Sequence, residues 1–113
     1  MTLKLFGLKN CDTCKRALNE IRAAGREPEF IDIRAGADLA GKLPEWLKAA
    51  GDRLVNRNST TWRGLSEPEK AQASGAGLEG LLLANPALIK RPVIELGGEV
   101  LIGWNAKTKA RIG

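Results

Sequence analysis

An α/β fold, one mixed sheet with helices packed on it, is what this chain of 113 residues predicts. Three observations carry the prediction. Near the start, two short β-type runs are separated by one stretch of helical periodicity, long enough to cross over between parallel strands. At the end, two further β-rich runs flank a Gly-Gly turn. Everything between them reads as helix. The order βαβ, helical block, ββα is satisfied by a single mixed sheet, and the length suits one domain with one core.

The elements follow in order. Leu3-Lys4-Leu5-Phe6 alternates apolar and polar residues and reads as a strand. Gly7 breaks the pattern, and Gly7-Leu8-Lys9-Asn10 reads as a loop. From Cys11 the period becomes helical: Cys14, Ala17, Leu18, Ile21 and Ala24 share one face, while Lys15, Arg16, Glu20 and Arg22 lie elsewhere. Gly25 stands where a helix C-cap is expected. Pro28 then introduces a second strand, Phe30-Ile31-Asp32-Ile33.

In the middle, Asp38 is a candidate cap, and Pro44 suits the first turn of a helix running through Glu45–Ala50 to a stop at Gly51. Ser66-Glu67-Pro68-Glu69 matches a capping box. Leu78, Leu81, Leu82 and Leu83 supply another helix, and Asn85-Pro86 caps a last turn carrying Leu88 and Ile89. Val93–Leu96 and Val100–Ile102 form the terminal hairpin around Gly97-Gly98-Glu99, followed by a short helix over Ala106–Ile112.

Composition narrows the chemistry. There is no histidine, so this chain alone builds no Ser–His–Asp triad, no Cys–His dyad and no histidine metal site. Two cysteines do not complete a Cys-rich zinc site, and no metal is expected. No run approaches the ~20 apolar residues of a membrane span. The opening MTLKLFGLKN is too short and too broken by lysines for a signal peptide, so a cytoplasmic location is expected. The net charge is +5, yet Lys and Arg are scattered without a run of five, and aromatics are sparse. Direct nucleic-acid binding is therefore not expected. The positive excess suits anionic small thiols or acidic partner surfaces instead. Trp46, Trp62 and Trp104 are expected to serve packing, since tryptophans bury most of their area.

The cysteines carry the chemical signal. Cys11-Asp12-Thr13-Cys14 falls where the first strand hands over to the first helix. A helix start offers free N–H groups and a partial positive charge, both of which stabilise a thiolate. Lys9, Lys15 and Arg16 are expected to add positive charge nearby, and such surroundings lower a thiol pKa. Residues three apart at a helix start lie close enough for a disulfide. Cys11 is the expected nucleophile and Cys14 the resolver of a mixed disulfide; alternatively Cys14 is a small apolar filler on the buried face. Further on, Lys90-Arg91-Pro92 precedes the third strand. The proline either holds a cis peptide beside the thiol or simply opens a strand in trans, and Arg91 is either functional or an ordinary surface charge.

Three blocks, Asn-Cys-Asp-Thr-Cys-Lys at 10–15, Asn-Arg-Asn-Ser-Thr-Thr-Trp-Arg at 56–63 and Asn-Pro-Ala-Leu-Ile-Lys-Arg-Pro at 85–92, together resemble the arsenate reductase ArsC family, and within it the Spx/YffB-type branch. The resemblance covers nearly the whole chain. It implies a thioredoxin-like fold over residues 1–113 with an inserted helical subdomain at 38–90. It implies a reactive Cys11, a cis Pro92, an oxyanion-binding Arg91 and a substrate-side Asn10. It also implies glutathione as co-substrate, with no bound cofactor.

Two departures matter. The arsenate reductases carry a further arginine after the glycine of the last strand, where Trp104 follows Gly103 here, and another near Asn56, where Arg57 is displaced by one. Arsenate is therefore not the expected substrate. The leading expectation is a glutathione-dependent thiol reductase acting on a small thiol or disulfide, without nucleic-acid or membrane partners. The alternative is an Spx-like redox-sensing regulator that binds RNA polymerase.

Overall fold

The computed structural model describes residues 3–35 and 38–112. They form strands β1 (Leu3–Gly7), β2 (Glu29–Asp32), β3 (Val93–Leu96) and β4 (Glu99–Ile102), with helices α1 (Asp12–Ala23), α2 (Leu39–Ala50), α3 (Thr60–Arg63), α4 (Glu67–Gln72), α5 (Leu78–Ala84) and α6 (Ala106–Ile112). The strands make one sheet in the order β2-β1-β3-β4. β1 runs parallel to β2 and antiparallel to β3, and β3 is antiparallel to β4. This is a thioredoxin-like α/β arrangement. The chain divides into two compact units, Met1–Ala37 with Arg91–Gly113, and Asp38–Lys90.

The first unit contains the sheet with α1 and α6. Alternation along β1 turns Leu3 and Leu5 into one core, where they meet Ala17 and Ile21 of α1, Ile94 and Leu96 of β3, Leu101 of β4 and Ile112 of α6. Leu18, Phe30 and Trp104 pack partly buried around it. Because the apolar spacing on α1 has helical period, one stripe faces this core and the charges face away. The helix stops at Gly25, whose φ of 89° lets its N–H reach Arg22 O at 3.0 Å while Arg26 N–H reaches Ile21 O at 3.2 Å. The hairpin turn has positive φ at both central residues, Gly97 and Gly98, the twist-matched geometry that glycine adopts without cost. The second strand sits one residue earlier than the sequence predicts. Ile33 falls just beyond it, buried, with its N–H on Gly7 O at 2.9 Å.

The second unit is helical. Asp38 caps α2 by accepting from Gly41 N–H at 3.3 Å. The expectation that Pro44 opens this helix is corrected: α2 begins at Leu39 and Pro44 lies inside it. One backbone hydrogen bond is forgone there, but Leu43, Trp46 and Ala50 fall on a single buried face, and that burial together with the cap outweighs the loss. Ser59 caps α3, and Ser66 with Glu69 closes the capping box of α4, with Ser66 N–H on Glu69 Oε1 at 2.9 Å. α2 packs on α5, and Leu78, Leu81 and Leu82 of α5 are buried. A bridge between Val55 and Ile89 ties the segment that follows α2 to the end of the unit.

Candidate active site

Three segments of the first unit converge on Cys11, and the register of the sheet explains why. β1 ends at Gly7, and the loop Leu8–Asn10 leads into α1. β3 lies beside β1 with Phe6 opposite Val93, so residues 91 and 92, just before β3, emerge next to the end of β1 and its loop. Pro92 is buried, its peptide bond to Arg91 is cis, and its carbonyl accepts the Gly103 N–H at 2.8 Å.

Cys11 is the N-cap residue of α1, with extended backbone at φ −94° and ψ 118° and no capping bond from its side chain. Its N–H bonds Leu8 O at 3.2 Å and its carbonyl accepts the Lys15 N–H at 3.0 Å, so the residue is fastened at both peptide groups while its thiol stays half-exposed. Partial burial pushes the Cys11 thiol pKa up. That push is outweighed by the Cys14 backbone N–H, the Arg91 guanidinium and the Cys14 thiol, all directed at the sulfur, with the charge of Arg91 adding to them; the net direction is down.

Cys14 behaves oppositely. It is only 1% exposed, and burial pushes its thiol up to about 11; the Leu8 backbone lowers it in part, while the neighbouring Cys11 sulfur raises it further. The two cysteines are free. Of the reduced pair, Cys11 therefore gives up its proton first, and Cys14, which holds its proton more tightly, is the one that can donate to the Cys11 sulfur. Space for Cys14 comes from Gly7: a Cβ there would lie 2.5 Å from Cys14 Sγ. Sequence reading takes Gly7 only as a pattern break. The contact spans a turn, and a glycine at a strand end gives no sign of which sulfur will fill the space.

The residues expected at the site are thus placed as follows. Cys11, Cys14, Arg91 and Pro92 come together. Asn10 is exposed on the preceding turn. Lys9, Lys15 and Arg16 are exposed as well. The groups that lower the Cys11 pKa most are Cys14 and Arg91, and exposed charges are screened by water and salt. Trp104, which stands where the arsenate reductases have an arginine, is drawn elsewhere: its Nε1 donates to Glu20 Oε2 at 2.7 Å, and Lys109 lies 5.7 Å from its ring. Among the described residues no cluster of three or more metal-ligating side chains occurs, and no helix is long and apolar enough to cross a membrane.

Comparison with known proteins places these features in context. The sequence pattern of the ArsC family matches residues 6–112. An uncharacterised protein of Haemophilus influenzae is 40% identical over 106 residues, which is 93% of each chain. The solved structure of a YffB protein is 37% identical, covers 98% of both chains and superposes with a TM-score of 0.86. An arsenate reductase (ArsC) related protein from Brucella melitensis is 33% identical, covering 98% of this chain and 93% of its own, with a TM-score of 0.79.

Proposed function

Since the chain belongs to the ArsC family, whose members include thiol-based reductases, we propose that it is a disulfide reductase that draws its electrons from glutathione. The single observation that supports this most is the split between the two thiols: Cys11 favoured as thiolate at the helix start, and Cys14 kept protonated beneath it.

The steps follow from that split. The Cys11 thiolate attacks one sulfur of a substrate disulfide. A mixed disulfide forms on Cys11, the substrate S–S bond breaks, and the departing thiolate takes a proton from water. With the Cys11 charge gone, one of the groups that raise the Cys14 pKa has disappeared, so Cys14 ionises more readily and attacks Cys11 Sγ. The second substrate thiol leaves, and a Cys11–Cys14 disulfide remains. One glutathione thiolate opens this bond, giving glutathione on Cys11 and a free Cys14. A second releases glutathione disulfide and restores the Cys11 thiolate. In sum, one substrate disulfide and two glutathiones become two thiols and one glutathione disulfide. Arg91 acts at two points: it stabilises the thiolate, and its planar fork binds a carboxylate of the incoming anionic thiol.

The test is turnover of a small uncharged disulfide by purified protein with glutathione. The parent protein is expected to turn over many times, and Cys11→Ser not at all. Equal rates for the two proteins would remove the reading.

A further inference from the structure

Beside the cysteine turn, α1 and β2 enclose a groove of about 240 Å³ lined by Leu8, Lys9, Lys15, Leu18, Arg22 and Phe30. Its floor is apolar: Leu8 is half-buried, and Leu18 and Phe30 lie partly buried against the core. Its rim carries three exposed cations, Lys9, Lys15 and Arg22. Arg22 is paired with a carboxylate, Glu27, whose Oε1 accepts from Arg22 Nε at 3.2 Å; both partners are largely exposed. A pair of that kind is weak, and a guanidinium has five N–H donors, so Arg22 retains donors for an incoming anion.

The near end of the groove is the wall of the cysteine turn. Leu8 O accepts the Cys11 N–H and Lys15 N–H bonds Cys11 O. From there its lining continues along α1 through Leu18 to Arg22. Lys15 and Arg22 are seven residues apart on α1, about 10 Å at ~1.5 Å per helical residue, the span of about three residues of extended chain. A trough of that length, with an apolar floor and cations along its rim, matches an extended polypeptide segment that carries an apolar side chain flanked by carboxylates.

We propose that this groove seats an acidic segment of a polypeptide disulfide, with an apolar side chain on Leu18 and Phe30 and carboxylates at the Lys15 and Arg22 rim, delivering the adjacent sulfur to Cys11. The assignment rests on the reductase reading given above, which it extends from small disulfides to a protein substrate. The charge complementarity of rim and segment sets the preference.

Two probes test it: a peptide containing Glu-Leu-Glu-Cys and its counterpart containing Lys-Leu-Lys-Cys, each as the mixed disulfide with 2-mercaptoethanol. The parent protein is expected to reduce the acidic probe with a kcat/KM at least about fivefold above that for the basic one, the scale of one exposed ion pair. The ratio should shrink as salt is added. Arg22→Glu should bring the ratio to unity or below, with Arg22→Gln intermediate.

Reduction of both probes with no preference, or an unchanged ratio in Arg22→Glu, overturns the groove and leaves the reductase reading standing. Failure is separable in the other direction by titrating the acidic peptide with serine replacing its cysteine and following backbone amide NMR shifts. Shifts centred on Lys15, Leu18, Arg22 and Phe30 support the groove even if no disulfide is turned over; shifts elsewhere overturn it.

Discussion

Arg91 meets Cys11 because β3 lies beside β1, and this contact separates two kinds of positive charge. Lys9 and Lys15 are nearer to Cys11 in sequence yet exposed, whereas the Arg91 guanidinium is directed at the sulfur. Arg91→Ala should therefore raise the pH midpoint of Cys11 alkylation toward the free-thiol value of about 8.5. It should also weaken binding of an anionic thiol by roughly 10- to 150-fold, the worth of one charge-assisted hydrogen bond. Arg91→Lys should restore the charge but only part of the binding, since the fork is lost. Parent-like values in both variants would reduce Arg91 to an ordinary surface charge.

In the parent protein the iodoacetamide profile should show Cys11 reacting with a midpoint below that free value. Cys14 should react only at clearly higher pH than Cys11, because burial holds its thiol proton. The Cys14 thiol has a further consequence for stability. Its folded pKa lies above its unfolded one, so the folded state keeps a proton that the unfolded chain gives up. Its contribution is present below the unfolded pKa and falls away as the pH rises from there through the folded value of about 11. A Cys14→Ala variant should show a flatter decline in thermal midpoint over that alkaline window. A Gly7→Ala variant brings a Cβ to 2.5 Å from Cys14 Sγ; it should cost about 1–3 kcal/mol in denaturant unfolding, the range for overpacking, and slow closure of the Cys11–Cys14 disulfide.

At the scale of elements, sequence patterns with a local physical cause were legible and those with a distant cause were not. Gly97-Gly98 demands positive φ, Ser66 with Glu69 makes reciprocal cap bonds, and Leu78, Leu81 and Leu82 bury one face of α5; each could be read in place. The start of α2 could not. Pro44 is a strong local signal for a first turn, yet it lies within the helix because Leu43, Trp46 and Ala50 share a buried face that extends the element back to Asp38. The forgone hydrogen bond gives a test: Pro44→Ala should raise unfolding free energy by about 1–3 kcal/mol, the part of the interior-proline cost that is recovered. A loss of stability would mean that the ring itself packs usefully. The site divides the same way. The cysteine spacing and the Arg91-Pro92 pair are visible in the sequence; the Gly7–Cys14 contact and the groove between α1 and β2 depend on which strands become neighbours.

For the whole molecule, the question is which anion the site accepts. A small trianion needs several donors converging on one point. Arg91 is one, but Trp104 brings no positive charge and is held instead by Glu20 and Lys109. Arsenate turnover with glutathione should therefore be negligible beside turnover of a disulfide in the same preparation. Efficient arsenate reduction would show that other donors complete the cradle. In the second unit the half-buried Trp62 lies beneath Arg57 at 5.3 Å and Lys70 at 6.0 Å, while Trp46 is wholly buried, the packing role expected of it.

The contacts that favour the Cys11 thiolate also set a direction for electron flow. The Cys14 N–H and the Arg91 guanidinium stabilise a negative sulfur, and a disulfide has none, so both contacts favour the dithiol form over the closed one. The Cys11–Cys14 couple is thereby moved to a more oxidising reduction potential than an unperturbed pair, which suits the glutathione-driven cycle proposed above. In a redox buffer of glutathione and its disulfide, Arg91→Ala should shift the midpoint toward more reducing potential and enlarge the closed fraction at any fixed ratio. The arginine that readies the nucleophile for attack is, on this account, also what returns the protein to its starting state after each cycle.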